Sequence, residues 1–113
     1  MNILSDLYST LSAFDIPVET GVFKDNAPEK YIVFIPMVES FDLHADNTPG
    51  VDVQEVRLSL YSQSNYTKDK NALVKLLLAA DFTITDRRYI GYEKDTGYHH
   101  YAVDVAKHYE MEE

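Results

Sequence analysis

The chain has no cysteine and no tryptophan, and only four glycines and four prolines in 113 residues. Without a thiol there is no disulfide framework, no thiolate nucleophile and no zinc–thiolate site. Basic residues are scarce: Lys and Arg total 10 against 19 Asp and Glu, for a net charge of −9. That balance repels DNA and anionic membranes at long range, although solubility alone is enough to explain it. Long hydrophobic runs are missing too. The longest, residues 32–38, contains Pro36 and is far too short to span a bilayer. Residues 1–6 hold no basic region leading into an apolar run, so no signal peptide is expected there.

What is present is a 45% hydrophobic fraction with mixed charges, the composition of one folded domain over residues 1–113. The pattern is densest at residues 55–86. Val56, Leu58 and Leu60 alternate with Glu55, Arg57, Ser59 and Tyr61, the period of a half-buried strand. Ser62, Gln63, Ser64 and Asn65 then offer helix caps. Leu73, Leu76, Leu77 and Ala80 fall on one helical face, which Val74 and Leu78 widen. From Phe82 the period returns to two, with Phe82 and Ile84 on one side.

Around this unit, Ile3, Leu4, Leu7, Tyr8, Leu11 and Phe14 mark a short amphipathic helix that Pro17 ends. Residues 18–23 are a modest strand candidate, and residues 31–38 a stronger one. Pro36 should sit at an edge, bulge or end. Residues 39–50 are rich in Asp, Asn, Pro and Gly and predict a long acidic loop. Residues 82–93 and 98–109 predict a hairpin closed by Lys94, Asp95, Thr96 and Gly97, and residues 110–113 an acidic tail. The expected fold is α+β: a mainly antiparallel sheet of about five strands with two helices on one face. The other face should carry tyrosines and charges.

Candidate chemistry is sparse. His99 and His100 are neighbours in a strand, so they point to opposite faces and do not chelate one metal together. His44 and Asp46 lack a third fixed ligand. Asp86, Arg87 and Arg88 come without a glycine-rich loop and predict an inter-strand ion pair. No nucleophile motif appears, so neither an enzyme nor a cofactor is expected. Nine tyrosines and five phenylalanines are the telling excess. Tyr61, Tyr89, Tyr92 and Tyr98 fall near strand ends, where a ring packs while its hydroxyl stays wet, as protein interfaces require. Phe41 and Leu43, flanked by Asp42 and Asp46 in the expected loop, form a second candidate: an apolar anchor with charges that set its register.

The order of these pieces resembles a known family. A short helix precedes Tyr31-Ile32-Val33-Phe34-Ile35-Pro36 and an acidic segment containing Asp46 and Asn47. Glu55 to Ser62 and the Leu-rich helix follow, then Arg88-Tyr89-Ile90-Gly91-Tyr92-Glu93 and Thr96-Gly97-Tyr98-His99-His100-Tyr101. The whole is similar to the tail-completion (tail-terminator) proteins of long-tailed bacteriophages and prophages. The resemblance implies a non-enzymatic virion subunit, assembled in the host cytoplasm, that caps the tail tube and joins it to the head connector. It implies a ring of copies, usually hexameric, through which DNA passes without specific binding. A head-side connector or stopper component, or a small regulatory ligand-binding module, are the alternatives. A deep apolar pocket with converging polar groups would favour the module.

Overall fold

A computed structural model of the chain describes residues 2–20, 28–45 and 48–110, with the backbone alone for residues 38–45 and 48–50. The elements run α1 (Ile3–Thr10), a 3-10 turn (Leu11–Ala13), β1 (Val18–Thr20), β2 (Lys30–Ala45), β3 (Thr48–Ser62), α2 (Tyr66–Ala79), β4 (Thr83–Tyr92) and β5 (His99–Glu110). The five strands form one sheet in the order β1-β2-β3-β5-β4. Only β1 and β2 are parallel; every other neighbour is antiparallel. This is the α+β fold the periodicities predict. No described helix is long and apolar enough to cross a membrane.

Alternation builds the core. Ile32 and Phe34 of β2, Val56, Leu58 and Leu60 of β3, and Tyr101, Val103 and Val105 of β5 bury one face of the sheet. Ile3, Leu7 and Leu11 from the first helical stretch, with Leu73 and Leu77 of α2, close the same cluster, so both helices cover one face. Asn2 caps α1 by accepting from Ser5 N, and Asn65 caps α2 by accepting from Lys68 N. The apolar face of α2 is narrower than predicted. Val74, Leu76 and Ala80 pack at its border, but Leu78 is 56% exposed, because a stripe of Leu73 and Leu77 already spans the contact with the strands.

The end of α2 lacks the glycine usual at such a position. Asp81 takes φ 65° there; its N–H bonds Leu78 O, and Phe82 N bonds Leu77 O. That pair of bonds is a Schellman closure, and buried Phe82 seals it against the core. Gly97, at φ 81°, supplies the left-handed residue of the β4–β5 turn, as expected.

The largest departure from expectation lies at residues 39–50. They continue β2 and β3, whose ladder runs from Lys30 opposite Ser62 to Ala45 opposite Thr48, leaving only positions 46 and 47 between the strands. Composition misled here while period did not: Phe41 and Leu43 alternate with Asp42 and His44, and Val51 and Val53 with Asp52 and Gln54. Residues 39–42 form the edge of a three-stranded stretch with β3 and β5, and only residues 43–45 and 48–50 pair as a two-stranded ribbon. An edge and a ribbon have little core to cover, so the sequence is loop-like in polarity and strand-like in rhythm. The ladder slips between Pro36 and Val38, the bulge that Pro36 predicts. The predicted strand at 18–23 is described only as Val18–Thr20; its remainder lies outside the described residues. Glu110, expected in the tail, still pairs with Val51 in β5.

The long hairpin stretches the molecule. Its extents are 54 × 26 × 23 Å and its radius of gyration is 15.4 Å, where a compact domain of this length has about 13 Å.

Candidate partner-binding site

The register of the sheet divides the candidate residues between two ends. Tyr31, Tyr61 and His100 lie opposite one another across β2, β3 and β5 near one end. Position 45 of β2 is at the other end, about 46 Å away at the usual strand rise. Phe41, Asp42 and Leu43 therefore belong to the hairpin end, in strand rather than loop. Asp46 lies outside the described residues.

At the tyrosine end the aromatics form two groups, one on each face. On the face without helices, Tyr31 stacks on Tyr61 (centroids 4.8 Å apart) and Tyr61 on His100 (4.3 Å). Tyr98 meets Tyr31 and Tyr61 edge-on. On the helix face, Tyr66 of α2 packs on Tyr89, His99 and Tyr101, and Tyr92 lies 4.8 Å from His99. Tyr89 Oη and His99 Nδ1 share a 2.9 Å hydrogen bond. His99 and His100 thus diverge, as neighbours in a strand must.

These groups are unequally available. Tyr89 and Tyr92 are about half exposed, at 45% and 54%, which suits a contact surface. Tyr98 is the most buried of the four predicted interface tyrosines. It is 9% exposed, and its hydroxyl donates to Pro28 O, so it pins the segment before β2 to the turn before β5. Tyr61 is half-buried between its two stacking partners. Burial is the main cause that raises the Tyr31 phenol to about 12 and pushes Tyr61 up as well. Burial, with Arg57 nearby, lowers His100. Its Nε2 is buried without a hydrogen-bond partner among the described residues. Tyr31, Tyr66, His99 and His100 were missed as members of these groups. For Tyr31, His99 and His100 the signal is cross-strand pairing, and for Tyr66 the packing of α2 on the sheet; neither is visible until the register is known.

The middle of the helix-free face is an ion-pair row. Arg57 grips Asp104 with two bonds, Nε–Oδ1 at 2.8 Å and Nη2–Oδ2 at 3.1 Å. Asp86 stands opposite Asp104 in the ladder, a like-charge pairing that destabilises on its own. Arg57 and Arg88, the latter 2.7 Å from Asp86, neutralise it. An inter-strand ion pair was expected of Asp86, Arg87 and Arg88; the pair found there, Asp86–Arg88, is intra-strand, because residues two apart share a strand face. The inter-strand pair is Arg57–Asp104. Around it Val33, Ser59, Ala102 and Ala106 are buried, so this face is less polar at its centre than expected.

A cavity of about 350 Å³ lies between the start of α1 and the Pro36 bulge. Two of its lining amides are committed: Asn2 Oδ1 accepts from Ser5 N, and Gln54 accepts from Ile3 N and donates to Asp52. No cluster of three His, Asp or Glu suited to a metal occurs among the described residues. No protein-family model matches the chain, and no characterised protein matches its sequence.

Proposed function

We propose that the chain is a structural assembly subunit of a long-tailed phage or prophage virion, capping the tail tube and joining it to the head connector as a ring. The observation that carries this reading is the separation of two candidate contact regions to opposite ends of one continuous sheet. Tyr89 and Tyr92 stand exposed at one end, and the hairpin bearing Phe41, Asp42 and Leu43 extends to the other. A joining subunit needs two surfaces that face different partners; a molecule 54 Å long supplies them from one small domain. In this reading neither partner is nucleic acid, and the subunit carries no catalytic or cofactor site. DNA crosses the ring without being gripped, which the net charge of −9 favours.

The ligand-binding module is less well supported. Its cavity is large enough for a small ligand, but the Asn2 and Gln54 oxygens are turned to backbone N–H groups. Electron microscopy of particles made by a strain lacking the gene tests the proposal. Separate full heads with unjoined or over-long tails are the expected outcome. Leaking heads beside tails of normal length would move the role to the head side. Normal joined virions would overturn it.

A further inference from the structure

We propose that the shallow cavity beside the β4–β5 turn receives one arginine side chain from a protein partner. The cavity, about 160 Å³, is lined by Ile90, Gly91, Tyr92, Glu93, Tyr98 and His100. Its aromatic walls are ordered in advance. The Tyr98 hydroxyl is fixed to Pro28 O, its ring stands edge-on to Tyr31 and Tyr61, and the His100 ring is stacked on Tyr61. Binding there immobilises little that is not already held.

The electrostatics select a cation. Glu93 Oε1 accepts from Thr96 Oγ1 at 3.0 Å, which steadies the carboxylate at the turn. Its charge reaches Tyr31, Tyr61 and His100, raising the pKa of each phenol and opposing the fall of the imidazole. Burial and Arg57 still hold His100 below its usual range, so near neutral pH this wall offers an uncharged ring and not a competing cation. At Gly91 a Cβ would meet nothing within 4 Å, so the space beside the strand is open.

Among cations, guanidinium fits best. It is planar, stacks on ring faces and donates in its own plane to a carboxylate, whereas an ammonium is a compact and strongly hydrated point charge. The chain's overall negative charge also steers a basic partner towards it. This inference does not depend on the proposed virion role, because the pocket is argued from its own walls.

The probe is N-acetyl-arginine amide, titrated into the full chain and followed by two-dimensional NMR. N-acetyl-citrulline amide serves as its uncharged isostere and N-acetyl-lysine amide as the ammonium control. The expected result is saturable shifts confined to the Gly91 and Glu93 amides and the Tyr98 and His100 rings, with citrulline and lysine both weaker. Glu93→Gln keeps an acceptor for Thr96 and should weaken arginine binding by about three- to fivefold, the range for a half-exposed cation contact. Glu110→Gln, at the far end of β5, should change nothing. Shifts scattered over the acidic surface, or shifts unaffected by Glu93→Gln, would reduce the effect to general charge attraction and overturn the site. Lysine binding as well as arginine would overturn the guanidinium assignment, and no saturable shift would overturn the proposal altogether.

Discussion

Leu77 is fully buried between α2 and the strands and touches the same cluster as Leu7, Leu58 and Val103. Leu77→Ala should therefore lower stability by about 2–5 kcal/mol, transfer and cavity terms together; equilibrium denaturation measures it, and a loss below about 0.5 kcal/mol would detach α2 from the sheet. Three tyrosines add a pH dependence. Tyr31, Tyr61 and Tyr109 are all shifted upward, each first by burial; Tyr109 is also hydrogen-bonded to Asp6 and faces its charge. A phenol is charged only after losing its proton, so a raised pKa means that the folded state resists ionisation. The stability these residues contribute is intact below the unfolded value of about 10 and is lost as pH rises above it. Phenolate absorbance should show these three titrating only as the chain unfolds. Tyr109→Phe should flatten the alkaline loss of stability. Titration of Tyr31 and Tyr109 with the fold intact would contradict their burial.

Among the elements, the end of α2 carries a strain that a single change relieves. Asp81 holds a left-handed conformation that a glycine adopts without steric penalty. Asp81→Gly should raise stability by up to about 1 kcal/mol, the scale of the left-handed penalty, with the midpoint of thermal unfolding as the readout; a clear loss would mean that the Asp81 side chain contributes more than its backbone angle costs. The β2–β3 hairpin is the harder element. Helices, caps, the Gly97 turn and the core strands were legible because apolar spacing and capping residues agree there. The hairpin was not, because Asp42, Asp46, Asn47, Pro49 and Gly50 weigh against the alternation around them. The tyrosine groups were legible as an excess but not as two opposed clusters, since Tyr31, Tyr61 and His100 meet only through the register. If the hairpin serves assembly, Phe41→Ser combined with Leu43→Ser should cost less than about 1 kcal/mol, within the span of strand propensity and surface changes. Heads and tails should nevertheless fail to join. A loss of several kcal/mol, with joining restored at low temperature, would make both residues part of the core.

On the scale of the whole molecule, charge decides what the surface holds. Of the 10 basic residues, Lys30, Arg57, Arg88 and Lys107 each lie against a carboxylate: Asp69, Asp104, Asp86 and Asp6. Lys70 sits over the Tyr101 ring and Lys107 also over Phe82, so two ammonium groups are engaged with aromatic faces. Non-specific affinity for duplex DNA comes from neutralising several phosphates at once, with release of their counterions. Here a phosphate backbone would have to compete with those carboxylates for the paired cations while it faced a chain of net charge −9. The chain should therefore bind duplex DNA negligibly at physiological salt. Lowering the salt should help little, because with few phosphate contacts the dependence on salt is shallow. Gel-shift measurements over a salt series test this directly. Micromolar binding that weakens steeply as salt rises would require a phosphate-facing cluster of basic groups, and the proposal that DNA crosses a ring of this subunit without being gripped would fall with it.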